Sequence, residues 1–447
     1  MSWDLLEEAK RLIGIRSVST EGNREIVEYL APFCRRAGLE VTLQSPLNGA
    51  AGRELNLIAH TVPAGSADLC PDGLLFVTHL DTVPPGDPAL WTETGGDPWQ
   101  ATLKGDRLYG LGSADTKLDF LCKLKAIEAV GAKNLRIPFC LVGSYGEERA
   151  LAGIRRLRES GLVHPRWALV GEPSELKPVN AHKGILYMRA VYEVGVQYIE
   201  PLQNIEPLQT KIFSGRAAHG STPHLGENAI EAAFRWLFEE QRRRPGLQLL
   251  SIEGGLVHNI VPERCVVQVA AGLSPCPRIG FLKKFWQLVG IADREIGSVK
   301  DREFDPPVTT RNIGVIRGDA ERIEIEFDFR LIPVTDGNGL YEVFHELSRV
   351  PGTKVEGISS NPPMATDPHS EIAGRVVKAL KEVGLAAPFQ AKAGNTEGAI
   401  VSQMGAEAIV IGPGRSTGNI HKPNEFNEIS QLNKAVEFYT AFLGGFS

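Results

Sequence analysis

The sequence predicts an α/β protein interrupted by an α+β insertion, and three observations carry that expectation. Short continuous apolar runs, the pattern of strands buried on both faces, recur between residues 74 and 170 and again at 406–411. Each run is followed within a few residues by a turn or glycine setting that carries a histidine or an acid. Between residues 185 and 361 the style changes to alternating strand-like runs interleaved with helical stretches, as a separate α+β layer would show. With 447 residues and 43% hydrophobic content the chain can bury a large core and divide into at least two domains.

The bulk properties exclude several classes. A net charge of −6 leaves no basic footprint, so no nucleic-acid partner is expected. The N-terminus, Met1-Ser2-Trp3-Asp4-Leu5-Leu6-Glu7-Glu8, opens an amphipathic helix rather than a basic and then apolar leader. No run approaches the length of a membrane span, so no membrane partner is expected either. The six cysteines, at 34, 70, 122, 140, 265 and 276, have no Cys-x-x-Cys spacing and several fall in apolar runs, which suits a reducing cytosol. The expectation is a cytoplasmic protein.

The elements follow in order. The run at 74–78 predicts a buried strand ending at His79-Leu80-Asp81 before Thr82-Val83-Pro84-Pro85. Residues two apart in an extended segment point to the same side, so Asp81 can reach toward the His79 ring. A carboxylate there is the usual partner for the second N–H of a metal-bound imidazole. Taken alone, the pair is also what a surface turn before Pro-Pro would contain. Gly110-Leu111-Gly112-Ser113-Ala114-Asp115-Thr116-Lys117 then leads into a helical stretch at 120–127. Asp115 near its start could bridge two cations or simply cap the helix.

The next strand, 136–144, runs to Gly146-Glu147-Glu148. Adjacent carboxylates repel unless a cation or a proton resolves them, so one can bind metal while the other handles protons. A solvated acidic helix start running into Arg149 and a turn at 152–154 is the plainer alternative. The strand at 167–170 ends at Gly171-Glu172-Pro173, and the run at 406–411 leads through Gly412-Pro413-Gly414 to His421. In an open α/β sheet the carboxyl ends of strands line one crevice. His79, Asp115, Glu148, Glu172 and His421, all metal-ligand types, would therefore converge there.

These motifs, with Ala181-His182-Lys183-Gly184 and His421-Lys422-Pro423-Asn424-Glu425, occur in the order of the metallopeptidase family of acetylornithine deacetylase, succinyl-diaminopimelate desuccinylase, aminoacylase and glutamate carboxypeptidase. They span nearly the whole chain. The sequence resembles that family, and Gly110-Leu111-Gly112 with Ala152-Gly153 is most similar to the acetylornithine deacetylases. The resemblance implies a zinc-exopeptidase-like catalytic domain, a mixed central sheet flanked by helices, at 1–184 and 362–447. It also implies an inserted α+β lid and dimerisation domain at 185–361, and hence a homodimer.

Carried over position by position, it implies two zinc ions, with cobalt as a substitute. His79 and Glu172 would hold one, Glu148 and His421 the other, and Asp115 would lie between them. Asp81 would orient His79, and Glu147 would act as general base. A cis peptide at Asp115-Thr116 is implied as well. In the insertion, Gly215-Arg216-Ala217-Ala218-His219-Gly220-Ser221-Thr222-Pro223 matches the family's lid signature, so His219 would stabilise the developing oxyanion across the dimer, although a capping loop before a helix accounts for the same residues.

Arg330 resembles the arginine that grips a substrate carboxylate, with structural pairing to Asp328 as the alternative. Asn259 and Gly394 complete the candidate substrate contacts. The chain departs from the pattern at Gly146, Thr116 and Leu118, where Asp, Met and Gly are usual. It departs further in a tandem Ile-Glu-Pro-Leu-Gln at 199–209 and an extra segment at 271–307 that separates Asn259 from Arg330. The expected reaction is hydrolysis of an amide in a small N-acyl amino acid, N-acetylornithine first. A short-peptide substrate or desuccinylation is the alternative within the class, and a metal-free binding protein the alternative outside it.

Overall fold

The computed structural model describes residues 3–47, 52–195 and 209–447, so most of the tandem repeat lies outside the described residues. The chain divides into two compact units. The first comprises Met1–Ala181, Met364–Ala391 and Thr396–Ser447, and the second His182–Pro363 with Lys392–Asn395.

The first unit is built on a mixed sheet. Its centre is four parallel strands side by side, Phe139–Ser144, Leu74–His79, Trp167–Val170 and Glu407–Val410, with Val77 in register with both Val142 and Val170. The antiparallel pair Glu40–Gln44 and Asn56–His60 extends one side, and Val179–His182 with Met364–Ala365 the other. Every residue of the first three central strands is buried, which is why they read as unbroken apolar runs.

Successive side chains serve opposite faces. Leu74 and Phe76 enter the core formed with helices Leu5–Gly14, Arg24–Arg36, Lys117–Val130, Glu371–Glu382 and Ile429–Gly444. Leu75 and Val77 enter the core formed with Ala152–Ser160 and Gly398–Gln403. Phe76 anchors the first core, its ring centroid 5.2 Å from Phe139 and 5.6 Å from Tyr439. Residues 152–154, read from sequence as a turn, are the first turn of helix Ala152–Ser160; Gly153 packs too closely on Tyr145 and Asn56 for any side chain. A small ladder of Thr102–Lys104, Arg107–Tyr109 and Phe426–Glu428 ties the chain's C-terminal loop to the Gly110 turn.

The second unit is a seven-stranded antiparallel sheet. Its order is Gln209–Ser214, Arg264–Ala270, Gln248–Gly254, Thr310–Gly318, Arg322–Leu331, Gly184–Glu193 and Thr353–Asn361. Helices Ala229–Arg243, Pro277–Ser298 and Gly337–His345 share its core through Phe234, Phe285 and Phe344. The extra segment at 271–307 is mostly the Pro277–Ser298 helix. Ile279, Leu282, Phe285, Val289 and Ala292 are buried along it, so it is core rather than filler.

Candidate metal centre

Parallel strands end on the same edge of a sheet, and this gathers residues far apart in sequence. His79 closes its strand and is 1% exposed, with Nε2 3.2 Å from Asp115 Oδ1. The other carboxylate oxygen, Oδ2, lies 3.1 Å from His421 Nε2, and the same nitrogen is 2.9 Å from Glu148 Oε1. Among the described residues, three groups each bring their potential ligand atoms within 4.8 Å of one another: His79 with Asp115 and Glu172, Asp115 with Glu148 and His421, and His79 with Glu147 and Glu148. Asp115 belongs to the first two.

Local backbone sets each position. Gly112 takes φ +79°, and a Cβ there would fall 2.4 Å from Lys117 Cε, so the turn before Asp115 requires glycine. The Asp115–Thr116 peptide is cis, as the resemblance implies. Thr116, not Asp115, is the N-cap of helix Lys117–Val130, which sets the capping alternative aside; the Asp115 carboxylate turns to the two imidazoles instead. Glu147 and Glu148 follow Gly146 at φ +61° in a partly buried turn, and the next helix begins only at Ala152, so they are not a solvated helix start.

Asp81 lies beside the His79 ring, as the two-residue spacing predicts, with its main-chain oxygen nearer than its carboxylate. The His79 Nδ1 is 3.0 Å from the Asp81 main-chain oxygen but 3.6 Å from its Oδ1. Its carboxylate instead accepts from the Glu147 amide at 3.1 Å, the Glu148 amide at 3.3 Å and the Ser19 hydroxyl at 2.5 Å. Asp81 thus fixes the turn that carries the paired glutamates, and its carbonyl is the nearer acceptor for the ring. Two-residue spacing predicts which side a group lies on, not which of its oxygens is used.

Glu425, which the sequence shows only as the end of the His421-Lys422-Pro423-Asn424-Glu425 motif, has a supporting role here. Fully buried, it accepts from the amides of Gly112 at 3.2 Å, Ala114 at 2.8 Å and Asp115 at 3.0 Å, and so holds the glycine turn. Only its place in the His421 loop could have signalled it.

The electrostatics describe a site crowded with acid. Burial pushes the Glu147 carboxyl well above its ordinary value; His79 opposes this, while Glu172, Glu148 and Glu397 add to it. Bonds to Asp115 and Glu148 raise His421 to about 10. Burial raises Glu425 to about 7, with the Asp115 charge acting in the same direction. Carboxylate oxygens and imidazole nitrogens closing on shared points are a donor set that suits zinc or cobalt, and the residues present fit two such ions.

The remaining candidates belong to the second unit. Arg330 is 7% exposed, and its Nε donates to Asp328 Oδ2 at 2.9 Å, the structural pairing foreseen as an alternative. His219 is exposed, with Nδ1 2.7 Å from Ser221 Oγ. Asn228 caps helix Ala229–Arg243 through the amides of Ile230 and Glu231, so the 215–228 segment does serve as a capping loop. Asn259 is half-buried and its carbonyl accepts from the Gly220 amide at 2.7 Å; Gly394 is exposed. Asn312, which no sequence motif marks, donates its side-chain amide to the carbonyls of His258 at 2.8 Å and Ile260 at 3.0 Å and so holds the loop on either side of Asn259.

A mixed α/β sheet whose parallel strand ends gather two imidazoles and several carboxylates is the framework of a metal-dependent hydrolase. The fold matches that of the aminoacylhistidine dipeptidase from Vibrio alginolyticus with a TM-score of 0.69 at 15% identity, over 99% of this chain and 96% of that one. Residues 75–444 match peptidase family M20/M25/M40, and the chain belongs to that family. Among its relatives, an acetylornithine deacetylase from Photorhabdus laumondii is 32% identical over 232 residues, 51% of this chain and 52% of that protein. Another, from Proteus mirabilis, is 26% identical over 459 aligned positions, 99% of this chain and 96% of that protein. The chain therefore spans about half the length of the first and nearly all of the second.

Proposed function

We propose that the protein is a two-metal amidohydrolase that removes the acyl group from a small N-acyl amino acid, N-acetylornithine or a close analogue. The observation that carries this reading is the Asp115 carboxylate, whose two oxygens face two different histidines at 3.2 and 3.1 Å. His79 and Glu172 would hold one zinc or cobalt ion and Glu148 and His421 the other, with Asp115 shared. Two such ions supply polarisation of the scissile carbonyl and a lowered water pKa.

The rest is the work of this chain's side chains. Glu147 takes a proton from the attacking water at its carboxylate and delivers it to the leaving nitrogen. Asp81 keeps Glu147 in place through the main-chain amide of that turn. Arg330, with Asn259 and Gly394, receives the substrate carboxylate, and His219 donates to the oxygen on which charge develops. The second unit joins two copies of the chain in a cytoplasmic homodimer.

The test is a substrate panel of N-acetyl, N-succinyl and dipeptide compounds, scored for acetate, succinate and free amino acid. Acetate release from N-acetylornithine at the highest kcat/KM supports the reading, and turnover confined to dipeptides removes it. The similarity to a dipeptidase fold favours a peptidase as the second reading within the class. A metal-free binding protein is the alternative outside it, and elemental analysis near zero metal per chain would establish that instead.

A further inference from the structure

Behind the strand ends lies a buried ionic group with no part in the chemistry proposed above. Asp119 and Lys123 stand one turn apart on helix Lys117–Val130, with side chains 1% and 0% exposed and 2.6 Å between Asp119 Oδ2 and Lys123 Nζ. Lys123 Nζ also donates to the Val77 carbonyl at 2.7 Å and to Thr78 Oγ1 at 2.8 Å, so all three ammonium protons are engaged. Thr78 Oγ1 donates to Asp119 Oδ2 at 2.7 Å. The buried Tyr439 hydroxyl lies 2.5 Å from Asp119 Oδ1 and 3.0 Å from the Ile411 carbonyl.

The contacts fall on a consistent set of places. Val77 and Thr78 precede His79. The Val77 carbonyl that Lys123 binds also accepts the Gly171 amide at 2.7 Å, and Gly171 precedes Glu172. A Cβ on Gly171 would sit 1.9 Å from Asp119 Oδ2 and 2.7 Å from Lys123 Nζ, so that strand end closes directly on the pair. Ile411 and Gly412 begin the segment that leads to His421, and a Cβ on Gly412 would lie 3.2 Å from Asp119 Oδ1. The helix bearing the pair starts just after Asp115. One ion pair therefore touches three ligand-bearing strand ends and sits on the helix that follows the fourth ligand.

Stability alone does not account for it. A buried ion pair is often replaced by apolar side chains of similar size without loss, so its presence under a site points to geometry rather than to folding energy. We propose that Asp119 and Lys123, braced by Tyr439, are positioning residues that hold His79, Glu172 and the His421 segment in register with Asp115 for metal binding. The inference rests on the two-metal reading above.

Cobalt titration of the metal-free protein, followed by visible absorption and calorimetry, tests it on three proteins: the unaltered chain, the Asp119→Leu/Lys123→Met double variant, and Tyr439→Phe. Two cobalt ions bound per unaltered chain uphold the metal reading independently of the variants; none bound would overturn that reading and this inference with it. The double variant is expected to keep a metal-free melting temperature near that of the unaltered chain. Its affinity for cobalt should fall about 10- to 100-fold, with an altered absorption band, because partners behind the ligands typically carry effects of that size. Tyr439→Phe should shift both in the same direction by a smaller factor. A folded double variant with unaltered cobalt affinity and spectrum overturns the proposal. Should the double variant fail to fold, unaltered affinity and spectrum in Tyr439→Phe overturn it alone.

Discussion

The two units treat polar residues in opposite ways. In the first, parallel strands deliver His79, Glu172 and the segments leading to Glu148 and His421 to a single edge, where carboxylates and imidazoles crowd one another. In the second, the sheet is antiparallel, strand ends alternate between edges, and the buried polar candidates are met singly: Arg330 by Asp328, and Asn312 by the His258–Ile260 loop. The difference teaches that parallel topology turns a scattered sequence pattern into a cluster, whereas an antiparallel layer gives a polar residue no such default meeting point.

The largest expected effect breaks the chemistry of the first unit without breaking its metal site. Glu147→Ala should lower kcat by about 10²- to 10⁴-fold, the usual worth of a positioned general base, while two metal ions per chain are retained. Steady-state kinetics beside elemental analysis checks this, and near-normal kcat in the metal-loaded variant would remove Glu147 from its role.

A smaller effect sharpens the reading of the second unit. Arg330→Ala leaves Asp328 buried without its cation and should cost about 3–5 kcal/mol of stability whether or not the arginine meets substrate. Arg330→Lys keeps the charge but loses the fork. It should raise KM for a carboxylate-bearing substrate about tenfold with little change in kcat if Arg330 receives that carboxylate. An unchanged KM would leave Arg330 as the structural partner of Asp328 alone.

The smallest is a pH effect in the metal-free protein. Glu397 is fully buried in the first unit, and burial raises it from 4.5 to about 7 despite the opposing pull of His79 and of the Ser144 hydroxyl. A carboxyl raised in the folded state contributes stability that is complete below its unfolded value and lost as pH rises through the folded one. Melting temperature should therefore fall between about pH 4.5 and 7, the loss amounting to at most about 3 kcal/mol. Glu397→Gln should flatten that part of the profile, and an identical profile would contradict the assignment.

What the sequence made legible follows the same division. The apolar runs ending in His79, Glu148 and Glu172 could be read because strands buried on both faces leave an unbroken pattern and then stop. The Asp81 carboxylate, Glu425 and the Asp119–Lys123 pair were not legible in their roles. Each acts through a main-chain amide or carbonyl, or on a strand distant in sequence, and no local spacing encodes such a partner. The Pro277–Ser298 helix leaves no signal of its role, because its buried positions lie in a segment without motif residues.

On the proposed reading, Asp115 would lie between two metal ions and Glu147 would stay free of both. Anomalous diffraction at the zinc edge from crystals of the zinc-loaded protein tests it most directly. Two peaks are expected, one beside His79 and Glu172 and one beside Glu148 and His421, with an Asp115 oxygen on each and no Glu147 ligation. A single peak, or a peak ligated by Glu147 in place of Glu148, would contradict it.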